Sequence, residues 1–209
     1  MALNTQITDL VGGTIDTTAC NQWANDACKE IINGLPFLRD KCSTVTSLTD
    51  GNGLDIDGFG QILHVTRLSA NSGGFHLPCR AIPSSQSGKA TDSTDLNYFG
   101  TATDPVFWVH SNASDAVRLF IKPDPDGTQV GTIYHVSYPS INVASDSAIA
   151  NFPDEAEYLV ILYVAAKQAA QYMTTEADNE DSELYQLYSN MYATFNAEYQ
   201  NGLAILKGA

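Results

Sequence analysis

Apolar residues that recur at three- and four-residue steps predict a first helix near the start of the chain. It begins at Thr17 or Thr18, either of which can cap it, and runs to about Asn33. Gly34 and Pro36 end it. Such a stripe needs a partner that covers it. The stripe consists of Cys20, Trp23, Ala24, Ala27, Cys28, Ile31 and Leu35.

The same periodicity returns in the last third of the chain, from Asn151 to Leu206, and predicts a long helical hairpin. Pro153 suits a first helical turn because its missing amide proton is not needed there, and Ser182 can cap the second helix. Each helix spans about 23 residues, or roughly 35 Å. The apolar faces are Ala156, Leu159, Val160, Leu162, Tyr163, Ala166, Ala170 and Met173, then Leu184, Leu187, Tyr188, Met191, Phe195, Tyr199, Leu203 and Leu206.

Between the helices, residues 43–139 contain short apolar runs separated by Gly, Asn, Asp and Pro, a pattern typical of β-strands and turns. The turns are at 50–53, 71–74 and 123–127. Residues 84–104 have no apolar period and predict a long loop. The predicted strands are 44–48, 61–68, 76–82, 105–110, 116–122 and 130–138.

These elements predict an α+β fold in which two separate stretches of the chain form the helical part. The first helix and the hairpin form a helical bundle from residues 1–42 and 140–209, and an antiparallel β-rich module at 43–139 is inserted into it. The first helix is expected to pack on the hairpin. With 209 residues and 44% hydrophobic content, the chain is large enough to bury a core.

Composition narrows the function. No apolar run reaches the roughly 18 residues of a membrane span, and the start lacks the basic and apolar regions of a signal peptide, so we expect an intracellular protein without membrane contact. The net charge is −14 with only ten Lys and Arg, which argues against binding DNA by its phosphates. An acidic surface suits either a channel that lets DNA slide past or simple solubility.

Candidate metal-binding residues are sparse in the sequence. The four cysteines, Cys20, Cys28, Cys42 and Cys79, fit no zinc spacing. Cys20 and Cys28 lie about 12 Å apart along a helix, too far for a disulfide, so buried free thiols are expected. The histidines, His64, His76, His110 and His135, fall in or beside strands without ligand spacing.

Acidic turns invite a calcium hypothesis, which their spacing does not support. Asp50, Asn52, Asp55 and Asp57 resemble part of a calcium loop, but an EF-hand counted from Asp50 would have Leu54 and Gln61 at ligand positions. No cofactor is therefore predicted. Asp124 and Asp126 fit a hairpin turn better than a metal site.

No catalytic motif is present in the sequence. A nucleophile elbow, a phosphate-binding glycine loop and a dinucleotide fingerprint are all missing. Phe107 and Trp108 beside Asp104 form the one cluster typical of a carbohydrate cleft, and a buried strand explains it equally well. The pattern Asn112-Ala-Ser is a glycosylation sequon by pattern only. We therefore expect a protein that is not an enzyme.

Tyrosines and acidic residues concentrate in the hairpin. Seven of the ten tyrosines lie there, and five acidic residues, Glu176, Asp178, Glu180, Asp181 and Glu183, lie at its turn. Tyrosine suits interfaces because its ring is apolar and its hydroxyl tolerates water. The hairpin is therefore predicted to pack against copies of itself. The predicted interface residues are Tyr158, Tyr163, Tyr172, Tyr185, Tyr188, Tyr192 and Tyr199.

Several segments resemble the head-to-tail connector proteins of tailed bacteriophages, also called adaptor or head-completion proteins. The resemblance implies a ring, usually a dodecamer, beneath the portal in the virion neck, assembled in the host cytoplasm. It implies that the ring extends the DNA channel without binding DNA specifically and docks the portal and a downstream neck or tail protein. The segments are the first helix with its Leu35-Pro36 exit, Pro78-Cys79-Arg80, 119–125, 136–139, Asn151–Val160 and Leu184–Tyr188.

Two other functions stay open at this point. One is a different neck or tail-completion protein, such as a terminator or a stopper. The other is a β-rich ligand-binding module on a helical stalk, with Phe107 and Trp108 as its binding surface. The loop at 84–104 and the C-terminal Lys207-Gly208-Ala209 are further candidate docking elements for a connector.

Overall fold

The chain folds into two compact units in an α+β architecture, as predicted. The computed structural model describes residues 1–69, 74–111 and 116–208. Residues 1–42 and 138–209 form a helical unit, and residues 43–137 form a β-rich unit. The predicted sequon at Asn112 and most of the predicted turn at 71–74 lie outside the described residues.

The helical unit contains the three predicted helices and two short ones that were not predicted. The predicted first helix and hairpin are confirmed, and the hairpin helices are 25 and 27 residues long. The additional helices precede and follow the predicted first helix. The five are α1 (Leu3–Val11), α2 (Thr17–Gly34), α3 (Pro36–Lys41), α4 (Asp154–Asp178) and α5 (Ser182–Gly208).

Helix α2 is capped by a residue other than the predicted one. Asp16, and neither Thr17 nor Thr18, caps it, because the Asp16 carboxylate accepts the amides of Thr18 and Ala19 at 2.9 and 3.3 Å. A side-chain oxygen at the cap satisfies amides of the first turn that have no partner within the helix. The predicted cap was one residue too late.

The same correction applies to α5, where Ser182 is the first helical residue. The Asp181 carboxylate accepts the amides of Glu183 and Leu184 at 3.1 and 3.0 Å. Pro153 occupies the cap position of α4, directly before the first helical residue.

Helix α4 is the central helix of the unit. From Ala156 to Ala169 its buried residues face in all directions, because α1, α2 and α5 all pack on it. Ile161, Val164 and Ala165, outside the predicted apolar face, are buried as well. The prediction that α2 packs on the hairpin is confirmed.

In its described residues the β-rich unit contains two four-stranded sheets. Their orders are β1-β8-β3-β4 and β2-β7-β6-β5. Leu48, Val65 and Ile133 of the first sheet share a buried cluster with Leu119 and Ile121 of the second. The strands are β1 (Ser43–Leu48), β2 (Leu54–Asp55), β3 (Ile62–Leu68), β4 (His76–Pro78), β5 (Arg80–Ala81), β6 (Val106–Ser111), β7 (Val117–Lys122) and β8 (Gly131–Val136).

The predicted strand at 76–82 divides between the two sheets at Cys79. Strand β4 pairs with β3 in the first sheet, and β5 pairs with β6 in the second. The β5–β6 pair is parallel, whereas the other strand pairs of the described residues are antiparallel. The predicted antiparallel module therefore needs this one correction, which arises because the chain crosses from one sheet to the other.

The predicted loop at 84–104 contains local structure. A 3₁₀-helix spans Ser84–Thr91, and Ala90 at its end is buried against β6. The Gly100 amide donates to the Ala90 carbonyl at 3.0 Å, and a Cβ at Gly100 would lie 2.7 Å from the Lys122 carbonyl oxygen. The segment is therefore held against the second sheet by a close backbone approach, which a polar sequence without an apolar period does not reveal.

Candidate assembly surfaces

The seven tyrosines of the predicted interface occupy three different environments. Tyr199 is buried, Tyr163, Tyr172 and Tyr188 are half-buried, and the rest are exposed. The exposed ones are Tyr158, Tyr185 and Tyr192. A tyrosine-rich hairpin therefore combines core and surface positions, which the stripe pattern alone does not separate.

Tyr199 belongs to the core of the helical unit. Its ring is 2% exposed and meets the edge of the Tyr163 ring at 5.4 Å. Its hydroxyl donates to the Glu30 carboxylate of α2 at 3.1 Å. Burial, with the nearby Glu30 charge, raises the pKa of Tyr199 well above its usual range. This residue ties α5 to α2 within one chain, so the proposals below leave it out of the contact between chains.

Tyr172 and Tyr188 stiffen the distal half of the hairpin. Their rings lie 5.0 Å apart, and the Tyr172 hydroxyl donates to the Thr14 carbonyl between α1 and α2. Gly13 makes this approach possible, because a Cβ there would lie 2.9 Å from the Tyr172 hydroxyl oxygen. The contact fixes the hairpin to the loop that precedes α2.

Beyond these contacts, the distal half of the hairpin lacks buried residues. None of residues 170–194, all of them described, is buried. Yet the first half of α5 continues the apolar stripe whose second half buries Phe195, Tyr199 and Leu203. The stripe is thus covered in one half and open in the other. We call the exposed stripe residues Leu184 and Leu187, together with the exposed Tyr185 and Tyr192 beside the stripe, the tip surface.

A second exposed apolar region lies at the opposite end of the hairpin. Lys41 lies over the Phe37 ring and pairs with Glu155 at 2.5 Å, one turn before Tyr158. Tyr158 is 56% exposed, and its hydroxyl donates to Glu198 at 3.2 Å. Ile205, two turns beyond Glu198, is 72% exposed. We call Phe37, Tyr158 and Ile205 the open-end surface.

The sequence predicted neither surface as such. Ile205 lies beside the predicted stripe of α5, and Phe37 belongs to the unpredicted helix α3. Ile205 stands between Ala204 and Leu206, so its sequence neighbours do not mark it as exposed. The exposure of the tip surface has no sequence signal, because it depends on where the neighbouring helices stop.

The proposed ligand-binding residues of the β-rich unit are largely covered. Trp108 is 9% exposed, packs with Ile82, Ala90 and Val106, and stacks on Phe120 at 5.6 Å between ring centroids. Phe107 packs partly buried on the cluster between the sheets. A core position thus describes this pair better than a binding surface does.

The acidic turns use their carboxylates to hold the backbone. Asp50 accepts the amide of Asn52, and Asp126 accepts the amides of Thr128 and Gln129, at 2.7 to 2.9 Å. These hydrogen bonds are typical of Asx turns. Within residues 1–69, 74–111 and 116–208, no three His, Cys, Asp or Glu side chains lie together as a metal site would require.

The histidines lie in or beside strands, as predicted. His135 is buried in β8, stacks on Phe59 at 3.6 Å and shares a hydrogen bond with the Thr46 hydroxyl at 3.1 Å. His64 stacks on Tyr134 at 4.0 Å. Both rings therefore serve packing and hydrogen bonding within the first sheet.

The four cysteines are free thiols, as predicted, with Cys79 half-buried and the others buried. Burial raises the pKa of Cys20 to about 11 and that of Cys28 and Cys79 to about 12, and also raises the pKa of Cys42. At pH 8 very little thiolate, the reactive form, is present in the folded protein.

We therefore expect all four thiols to react with a disulfide reagent at pH 8 at least about 100-fold more slowly in the folded protein than in denaturant. Absorbance of the released thiol measures both rates on one sample, and the denatured protein is its own control. One thiol that reacts at the denatured rate in the folded protein would contradict this arrangement.

A comparison with protein-family models matches residues 2–208 to the family described as SU10 adaptor protein. The chain belongs to this family. The match covers both the helical unit and the β-rich unit, and therefore also both surfaces of the hairpin. The sequence has no match among curated proteins.

Family membership makes this protein a bacteriophage structural adaptor and a component of the virion. An adaptor acts through contacts with other head or tail proteins. In the described part of the chain, no helix is long and apolar enough to cross a membrane. Because an adaptor acts through contacts, the exposed apolar regions of the hairpin are the candidate contact surfaces of this protein.

Proposed function

We propose that this adaptor is a non-enzymatic protein that forms a dodecameric ring between the portal and the tail of a tailed bacteriophage. The ring extends the DNA channel and docks the portal on one side and a downstream neck or tail protein on the other. It lies in the virion neck after assembly in the host cytoplasm. The observation that carries the proposal is a hairpin with exposed apolar side chains at both ends in a phage adaptor.

The open-end surface is suited to contacts between neighbouring copies. Its exposed rings and Ile205 offer apolar area, and tyrosine loses little entropy on contact. The Lys41 charge is already paired with Glu155, so a neighbour that covers it encloses no unpaired cation. Packing of different surfaces on adjacent copies closes into a ring when the rotation between them is right.

The charge distribution supports passage of DNA without binding. Residues 1–42 and 138–209 hold 15 acidic residues against five basic ones. Repeated around a ring, this excess gives a strongly acidic assembly. Where it faces the channel it repels DNA phosphates, whereas proteins that hold DNA gain affinity from Lys and Arg.

The loop at 84–104 is proposed as a further docking element. Arg80 donates to the Asn97 carbonyl at 2.6 Å and pairs with Asp104 at 3.0 Å. Leu96, directly before Asn97, is 95% exposed. A loop held in place presents such a side chain at a low entropic cost. Lys207 and Gly208 at the end of α5 are a second candidate, while Ala209 lies outside the described residues.

Negative-stain microscopy of the adaptor mixed with purified portal from the same virus tests the proposal. We expect an added tier of density under the portal with the rotational symmetry of the portal. The double variant Tyr158→Ser and Ile205→Ser should reduce the fraction of portals that carry a tier by at least about tenfold, because it removes two exposed apolar contacts per copy.

Phe75→Ser provides the control, because Phe75 is as exposed as the changed residues but lies in the β-rich unit. It should leave the tier unchanged. Association with isolated tails and not with the portal would favour a terminator or stopper. Association with neither would overturn the proposal.

A further inference from the structure

The tip surface is a part of α5 whose four large apolar or aromatic residues are 38–50% exposed. Leu184, Leu187 and Met191 follow each other at helical spacing, and Leu187 is 50% exposed. Exposed apolar side chains that cluster on one face mark contact sites, whereas single exposed ones do not. The stripe is thus built for contact with another molecule.

This surface is held in place before any partner arrives. The contact between the tilted Tyr172 and Tyr188 rings and the hydrogen bond from Tyr172 to Thr14 fix the hairpin from the side of α4. Asp181 caps α5 at its first turn, and its amide donates to the Glu176 carbonyl at 3.1 Å. A preformed surface loses less entropy on binding than a flexible one.

The charged residues next to the tip surface are all acidic. Glu176, Asp178, Glu180, Asp181 and Glu183 lie directly before it, and the sequence has no Lys or Arg between Lys167 and Lys207. In the described part of the chain none of these five carboxylates forms an ion pair. A partner that brings cations therefore meets carboxylates that have no cation paired with them.

Acidic and apolar groups meet in a groove at the hairpin turn. It has a volume of about 280 Å³, and its lining includes Glu176, Glu180 and Asp181 together with Ala177 and Tyr185. A Lys or Arg side chain matches this combination, because its aliphatic stem packs on apolar groups while its charged end meets carboxylates. The Tyr185 ring also offers its face to such a cation.

A second copy of this chain is a poor occupant. Two tips that meet would bring both sets of five carboxylates together without a cation, and like charges facing each other oppose association. Elsewhere the chain has only ten Lys and Arg, and four of them are already in ion pairs. With a net charge of −14, this chain is a poorer source of such cations than a basic protein is.

We propose that the tip surface docks a basic, amphipathic segment of another protein, with its apolar side chains on Leu184, Tyr185, Leu187 and Tyr192 and a Lys or Arg in the groove. The inference deepens the proposed function, on which its biological meaning rests, by assigning one docking partner of the adaptor to the tip. In this proposal, the open-end surface forms the contacts between neighbouring copies of the adaptor.

A labelled amphipathic helical peptide of leucine and lysine, measured by fluorescence anisotropy, is the probe. Two tip variants are compared with the wild-type adaptor: Tyr185→Ser with Leu187→Ser, and Asp178→Asn with Glu180→Gln and Glu183→Gln. Glu176 and Asp181 stay unchanged because they form hydrogen bonds within the hairpin. Each variant should raise the Kd by at least about tenfold.

Two matched controls separate the tip from general acidity. Asp9→Asn with Asp154→Asn and Glu198→Gln makes the same charge change elsewhere on the helical unit, and Tyr158→Ser with Ile205→Ser removes apolar groups at the open end. Both should change the Kd by no more than about twofold. A leucine and glutamate peptide of the same pattern should not bind.

Equal weakening by tip variants and controls would overturn the inference, as would tip variants that bind like the wild type. A tip variant that changes the sedimentation of the adaptor instead would make the tip a contact between copies and overturn it too. The portal experiment tests the proposed function, and the peptide experiment tests this inference. Tip-dependent peptide binding without portal association contradicts the proposed function alone, and the reverse result contradicts this inference alone.

Discussion

Replacing Tyr199 with alanine is expected to lower the free energy of unfolding of the helical unit by about 3–5 kcal/mol. The ring is 2% exposed, and it contacts Tyr163 while its hydroxyl bonds to Glu30. Truncation leaves a cavity between α5 and its neighbours and removes the link to α2. Urea unfolding followed by helical circular dichroism gives the free energy by linear extrapolation.

Two further tyrosine variants show whether the loss is due to burial. Tyr199→Phe keeps the ring and removes one hydrogen bond to an exposed carboxylate, which should cost about 1 kcal/mol. Tyr192→Ala, on the exposed part of the same helix, should stay within about 0.5 kcal/mol of the wild type. If Tyr199→Ala and Tyr192→Ala cost the same, Tyr199 is not a core residue and the predicted interface regains it.

This contrast shows what the stripe of α5 can and cannot predict. Leu184 and Tyr199 belong to one predicted apolar stripe, yet Leu184 is 38% exposed and Tyr199 only 2%. Burial then depends on how far the neighbouring helices α1 and α2 extend along α4, whose last buried residue is Ala169. Where a neighbouring helix ends is a tertiary property, and no local pattern encodes it.

Local signals explain both the correct and the missed elements. The long helices were predictable because several turns repeat the same apolar spacing. Helix α1 has the spacing too, with Leu3, Ile7 and Val11 buried, but it has only nine residues and no side-chain cap. Short helices gain their stability from tertiary packing, so a sequence pattern detects them poorly.

The β-rich unit shows the same limit in its sheets. Strand positions followed from apolar runs and turn residues, and most of the predicted strands are found. The change of sheet at Cys79 was not predicted, because it depends on the pairing partners of the residues on either side. Pairing is nonlocal, and a single sequence carries little information about it.

Trp108→Ala is the second change with a large expected effect, and it is directed at the β-rich unit. The side chain is 9% exposed and stacks on Phe120 in the cluster with Ile82 and Val106. Its removal should lower the free energy of unfolding of this unit by about 3–5 kcal/mol. Hydrogen exchange of the β6 and β7 amides measures the loss in the unit itself, apart from the helices.

The outcome separates a structural core from a ligand-binding surface. A binding surface tolerates truncation, so a ligand-binding module with Trp108→Ala would remain folded and lose only its ligand. Trp108→Phe retains most of the volume and should cost clearly less, and Phe75→Ala, at an exposed position of the same unit, should cost almost nothing. Unchanged exchange in Trp108→Ala would show that the indole is not needed for the fold. That result would favour a ligand-binding role of the β-rich unit over a purely structural one.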